Sequence, residues 1–228
     1  IRLSLVGSEM CIRDRINGET VAGLGETVDP DRDAVTVDGR SVEMTEKTVV
    51  LVLNKPTGVL STVTDTHGRP TVIDLARRAG RRERLFPVGR LDMDTSGFIL
   101  LTNDGELTYR LTHPRYEVDK TYLAVVEGEI ADETARIVAG GVKTRELETK
   151  PCRVRIRSRN GGESEVEVTI REGKKRQVRR MFAAVGHEVK RLRRTAIADL
   201  AFDDVPEGAV RPLTPREERR LRSLTGLP

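Results

Sequence analysis

Two stretches of strict alternation constrain this chain most. Cys152, Val154 and Ile156 alternate with arginines, and Val166, Val168 and Ile170 alternate with polar residues. A period of two sends successive side chains to opposite faces of a pleated strand, so each stretch predicts a half-buried antiparallel strand. Three continuous apolar runs, at 49–53, 98–101 and 122–126, predict strands buried on both faces. Lys55-Pro56-Thr57-Gly58 and Asn103-Asp104-Gly105 close two of these runs with turn residues. Helices are expected at 71–79, 105–111, 132–139 and 174–185. In the last, Val178, Met181, Phe182 and Val185 fall at i, i+3, i+4 and i+7, one apolar stripe ended by Gly186. Thr214-Pro215-Arg216-Glu217 is a capping box with proline at the first helical position, and predicts a short C-terminal helix. Strands and helices without regular βα alternation give an α+β fold, with a mainly antiparallel mixed sheet and flanking helices.

A length of 228 residues fits one medium domain, or one domain with a small appendage. Residues 1–15 show no sustained period. They read as a non-native segment outside the fold, Cys11 included. Residues 16–43 form a small unit with turn signals at Asp29-Pro30 and Asp38-Gly39, and residues 34–37 read as a strand entering a hairpin. Residues 44–48 are a linker, and residues 49–228 form the large domain. No run of eighteen apolar residues predicts a membrane span, and no secretory signal pattern is present. Cys11 and Cys152 lie too far apart in sequence to suggest a disulfide framework. A reducing cytoplasm and a monomer are expected.

The net charge of +4 is modest but lopsided. Residues 17–46 carry eight acids against two arginines, whereas residues 171–194 carry ten Lys or Arg against Glu172 and Glu188. A basic block beside an acidic segment fits a polyanion partner, and equally a salt-bridged helix face.

Several chemistries lack their residues. His67, His113 and His187 are scattered and show no metal-ligand spacing with Cys152, so no metal is expected. No glycine-rich loop ends in Lys-Ser or Lys-Thr, and no Gly-x-Ser-x-Gly elbow occurs. No cofactor is implied. What remains is the segment 86–97, dense in Gly, Asp and Thr and leading into a buried strand. Such a loop can hold a carboxylate at the mouth of a site. Taken alone, Asp92 and Asp94 are more simply read as closing an Asx turn.

Gly89-Arg90-Leu91-Asp92 with Thr95 and Gly97, followed by Leu101-Thr102-Asn103-Asp104-Gly105, closely resembles the catalytic motif of the RsuA family of ribosomal RNA pseudouridine synthases. Asn54-Lys55-Pro56-Thr57-Gly58 resembles the family's opening motif. His113-Pro114 with Lys120-Thr121-Tyr122 resembles the segment of the active-site tyrosine. Residues 172–182, from Glu172 through Arg179-Arg180 to Phe182, resemble the late basic motif. Residues 16–43 resemble the tail of an S4-type RNA-binding domain, without the two helices that open such a module. That gap implies weak RNA docking through this part.

The resemblance implies a pseudouridine synthase catalytic domain at 49–228, with Asp92 as nucleophile. Tyr122 would stack on the target base. Arg179 would pair with the Asp92 carboxylate and keep it ionised. Arg90 would supply a second positive partner or brace the loop. Lys55 is read as structural or phosphate-contacting. Lys174, Lys175, Arg176 and Arg180 fall in the block 171–194, a candidate phosphate track that positions RNA without reading its sequence. The implied partner is ribosomal RNA, with no membrane. Residues 113–118 and 120–122 look most like the large-subunit (RluB-like) branch. The same reaction on small-subunit rRNA is the nearest alternative. A non-catalytic RNA-binding or ribosome-assembly factor is the alternative of another class. A hydrolase using Asp92 and Asp94 as paired acids is a third reading.

Overall fold

The computed structural model describes residues 3–4, 14–21, 26–29, 32–42 and 47–227. The chain divides into two compact units, Ile1–Thr48 and Val49–Pro228. Cys11, Pro30 and most of residues 1–15 lie outside the described residues.

In the first unit, β1 (Leu3–Ser4) pairs antiparallel with β4 (Thr27–Val28). A second sheet has the order β3-β2-β5-β6, formed by β2 (Arg15–Ile16), β3 (Glu19–Thr20), β5 (Val35–Val37) and β6 (Arg40–Ser41). Asp38 and Gly39 both have positive φ, 49° and 76°. This is the backbone a two-residue hairpin needs to match strand twist, as the Asp-Gly pair predicts. Val28 and Val35 are buried.

The second unit is built on a nine-stranded sheet. Its strands are β7 (Val50–Lys55), β8 (Phe86–Pro87), β9 (Ser96–Thr102), β10 (Lys120–Glu127), β11 (Arg153–Asn160), β12 (Glu163–Ile170), β13 (Val189–Ile197), β14 (Leu200–Ala201) and β15 (Val210–Pro212). The main path runs β11-β12-β10-β13-β9-β7-β15, with β14 on β13 and β8 on β9. The β9–β13 pair is parallel; the other named pairs are antiparallel. Helices α1 (Val72–Arg78), α3 (Asp132–Gly140) and α4 (Gln177–Ala183) bury apolar residues on one face. Helices α2 (Gly105–Thr112) and α5 (Pro215–Leu224) cover the other.

Alternation decides which core each residue serves. Leu51, Leu53, Ile99 and Leu101 join the first core, and Val50, Val52, Phe98 and Leu100 join the second. β7 and β9 therefore read as continuous apolar runs because both faces are covered. On β11 one face is open, so arginines alternate with Val154 and Ile156. This is the expected α+β architecture. Thr214 and Glu217 form the capping box of α5, with Glu217 N donating to Thr214 Oγ1 at 3.3 Å.

One expectation needs adjustment. α4 begins at Gln177 rather than at residue 174. Arg176 has φ +51°, outside the helical region, and the Gln177 side chain accepts from Lys174 N at 3.0 Å. Residues 174–176 thus form a bent approach to the helix. The sequence reading also missed β13, whose buried Val189, Leu192, Arg194 and Ile197 are masked by the basic residues between them.

Candidate active site

The loop between β8 and β9 is clamped from below. Ser61 Oγ accepts from Leu91 N at 3.1 Å and donates to Leu91 O at 2.9 Å. Gly58 N donates to Met93 O at 2.8 Å. Thr95 N donates to Asp92 O at 3.0 Å, closing a turn over 92–95. That turn sends the two carboxylates to different surroundings. Beyond it, Gly97 sits beside β13 with φ +104°, where a Cβ would lie 2.2 Å from Arg194 O. Only glycine allows β9 and β13 to meet there.

Asp92 is half-buried and lines a cleft of about 450 Å³. Leu91, Thr95, Tyr122, Ile170, Val178 and Leu192 line it too, and Arg90, Lys174, Lys175, Arg176 and Gln177 complete the wall. Tyr122 is buried on β10, opposite Val168 of β12 and Arg194 of β13. Asp92, Tyr122, Arg90, Lys174, Lys175 and Arg176 are thereby brought to one place from three separate parts of the chain. The Asp92 carboxylate makes no hydrogen bond or ion pair among the described residues.

Arg179 does not pair with Asp92. Its partner is Asp94: Arg179 Nε lies 3.3 Å from the Asp94 carboxylate, and Nη2 donates to Asp94 O at 2.8 Å. Nη1 donates to Val189 O at 2.7 Å, tying α4 to β13 and to the 92–95 turn at once. Arg176 grips the same carboxylate with two bonds of 2.9 and 3.1 Å. Burial disfavours charge on Asp94, but the Arg176 hydrogen bond and the Arg179 and Arg176 charges outweigh it, and its carboxyl is held below the usual range. The expected pairing fails because the turn at 92–95 presents Asp94, not Asp92, to α4. The same turn removes the paired-acid reading, since Asp94 does not line the cleft.

Lys55 is fully buried. Its ammonium donates to Pro56 O at 2.9 Å and Val59 O at 2.8 Å, holding the turn that receives Met93. A phosphate cannot reach it, which leaves the structural of its two expected roles. Burial pushes it down to about 8, opposed by the charges of Asp94 and Asp92. Lys120 is likewise pushed to about 8 by burial, with Arg194 reinforcing the shift. Arg194, only 3% exposed, donates from Nε to Phe98 O at 2.6 Å, while its Nη2 is buried without a partner. Lys55 and Arg194 were not foreseen as buried cations. Lys55 ends an apolar run and Arg194 stands in the basic block, and neither setting gives a local hint that the cation is enclosed.

The basic block 171–194 is not one continuous phosphate track. Lys175 is exposed and free of partners among the described residues. Lys174 contacts Glu148 O and Glu172. Arg180 turns away from the cleft and donates to Glu146 O at 2.7 Å. Lys190 and Arg191 pair with Glu163, and Arg193 lies over the Phe98 ring. Among the described residues no group of three His, Cys, Asp or Glu could hold a metal ion. Among the described residues no helix is long and apolar enough to cross a membrane. Cys152 is half-buried, and burial pushes its thiol up to about 11.

A loop aspartate, a buried tyrosine and a basic helix start facing one cleft invite comparison with known proteins. The family model for RNA pseudouridylate synthase matches residues 49–184. The chain belongs to the RNA pseudouridylate synthase family. It is 43% identical over 212 residues to ribosomal large subunit pseudouridine synthase B of Bacillus subtilis, covering 92% of this chain and 85% of that protein. It is also 43% identical over 219 residues to an uncharacterized RNA pseudouridine synthase of Mycobacterium leprae, covering 94% and 84%. A crystal structure of a pseudouridylate synthase superposes with a TM-score of 0.68 at 32% identity, covering 93% of this chain and 89% of that one. The RNA pseudouridylate synthase match encloses the loop of Asp92, the strand of Tyr122 and α4 up to residue 184. The resemblance carried by the motifs of residues 49–184 is borne out at the level of the family.

Proposed function

We propose that this protein converts a uridine of large-subunit ribosomal RNA to pseudouridine, with Asp92 as the nucleophile. The observation that carries the reading is the unpaired Asp92 carboxylate facing the same cleft as Tyr122. Its neighbour Asp94 engages the two nearest arginines instead, so Asp92 stays free to attack. The charge of Asp92 in turn acts on Lys55 and Arg176 and favours their charged forms. The choice of large-subunit rRNA is supported by the name of the Bacillus subtilis relative. A ribosomal RNA substrate implies work in the cytoplasm.

In the reaction the C1′–N1 bond breaks, the uracil rotates, and a C1′–C5 bond forms. The proton leaving C5 is balanced by one gained at N1, and no redox partner is needed. Attack at C1′, addition at C6 and deprotonation at C2′ all begin from the same ionised carboxylate. Leu91, Ile170, Val178 and Leu192 supply apolar wall that excludes competing water. The Tyr122 ring offers stacking that offsets part of the cost of extruding the base. Lys175 and Arg90 stand at the wall for backbone phosphates. We read residues 16–43 as part of an S4-type RNA-binding module.

Purified protein is incubated with unmodified large- and small-subunit rRNA transcripts, and pseudouridines are mapped. Wild type is expected to modify the large-subunit transcript. Asp92→Asn is expected to lower the rate by at least about a thousandfold, with RNA affinity nearly intact. Undiminished activity in that variant removes Asp92 from its role, and modification of the small-subunit transcript alone transfers the substrate.

A further inference from the structure

We propose that Tyr109, His113, Arg115 and Tyr116 form a second RNA contact, a platform on which a nucleotide flanking the target uridine stacks. The proposal rests on the RNA substrate inferred above. The chain is poor in aromatic residues: four Phe, three Tyr and no Trp. Phe98, Phe182 and Phe202 are fully buried, and Tyr122 lines the cleft. The other two tyrosines sit together, Tyr109 exposed and Tyr116 half-buried against the second core. Leu107 and Leu111 turn α2 toward the core, yet Tyr109 of the same helix is 44% exposed. Its ring lies 4.9 Å from that of His113 and 5.9 Å from that of Tyr116, nearly perpendicular to the latter.

The patch is rigid and cationic. Residues 114–116 form a 3-10 turn, with His113 Nδ1 accepting from Arg115 N at 3.2 Å. Arg110 and Arg115 place their guanidinium groups 5.7 and 5.0 Å from the Tyr116 ring centre. Arg110 is committed to Glu106 and to the carbonyls of Thr225 and Gly226. Arg115 has no acidic partner among the described residues, so its charge is left for a phosphate. Every base offers a π face, and an aromatic ring beside a free cation is the arrangement that holds one unpaired nucleotide.

Position relates this patch to the catalytic cleft. Thr112, at the end of α2, packs against Gly89, where a Cβ would lie 3.4 Å from Thr112 Cγ2. Gly89 precedes Arg90 in the cleft wall. On the other side the 3-10 turn leads through Glu117, with φ +47°, toward β10 and Tyr122. A strand of RNA whose uridine enters the cleft past Arg90 has its next bases over this patch.

The test measures binding of an end-labelled, unmodified large-subunit rRNA transcript by anisotropy across a salt series, using the full chain. Tyr109→Leu is expected to weaken binding about tenfold, and Tyr109→Phe, which keeps the ring, to stay within about twofold of wild type. Arg115→Gln is expected to reduce the slope of log affinity against log salt by about 0.7, one phosphate contact on a single strand. Thermal melts confirm that each variant is folded. Tyr109→Leu binding equal to wild type, or Tyr109→Phe as weak as Tyr109→Leu, overturns the platform. Pseudouridine formation is scored separately. A wild type that makes none while Tyr109→Leu still weakens binding retracts the reaction and leaves the platform standing.

Discussion

Replacing Asp94 by Asn separates the acid that organises the site from the acid assigned to chemistry. Asp94 receives Arg176 at 2.9 Å and Arg179 at 3.3 Å. The Arg176 side chain is 42% exposed, so solvent screens that pair to well under about 1 kcal/mol. The Arg179 side chain is 12% exposed and loses its only carboxylate, though its bonds to two carbonyls remain. Leaving that charge uncompensated costs more, about 1–2 kcal/mol after allowing for the retained bonds. The sum, about 2 kcal/mol, lowers the melting temperature by about 4–8 °C for a unit of this size. The effect on rate is sharper. Arg176 already couples to Asp92. Released from Asp94, it is expected to turn to Asp92 and occupy the carboxylate proposed as nucleophile, lowering kcat about 10- to 100-fold.

The sign of the pH dependence adds a check. The folded carboxyl of Asp94 is held below its ordinary 3.8. Its contribution is therefore fully present above that value and is lost as pH falls through the folded value. Denaturant titrations of wild type and Asp94→Asn are expected to differ at neutral pH and to converge as pH falls through the lowered folded value, below 3.8. A stability gap that persists unchanged in acid, or a variant with wild-type kcat, refutes the reasoning.

Gly97→Ala places a methyl 2.2 Å from Arg194 O at φ +104°; it should destabilise the fold by about 3 kcal/mol or more, read by denaturant unfolding. Lys55→Met leaves the carbonyls of Pro56 and Val59 without their donor and should cost about 2 kcal/mol, again by unfolding, with RNA affinity unchanged because Lys55 never meets phosphate. Lys55 and Lys120 are both lowered from 10.5 to about 8. The unfolded chain then binds more protons between those values, so stability is expected to rise with pH across that window; a flat denaturation series there counts against the two burials. Tyr122→Leu should lower kcat by about tenfold or more through lost stacking, measured at saturating RNA.

Much of the architecture follows from local patterns that the sequence states outright. A period of two marks β11 and β12, and the stripe of Val178, Met181 and Phe182 marks α4, because burial repeats with the geometry of the element itself. The family, too, was legible, since Gly, Asp and Lys in ordered motifs are demanded by turns and chemistry that tolerate few substitutes. Which carboxylate meets which arginine was not. Arg179 was expected on Asp92 and lies on Asp94, because a four-residue turn and the left-handed backbone of Arg176 set the directions of those side chains. The sequestering of Lys55 and Arg194 and the requirement for glycine at 97 were equally hidden. They arise where β9 meets β13 in parallel, joining residues nearly a hundred positions apart. The sequence alone determined most of the elements, β13 excepted, and placed Asp92 in a glycine-bounded loop, since both depend on neighbours along the chain. Only the tertiary structure left that aspartate unpaired in the cleft, because its charge environment comes from strands and a helix that folding brings together.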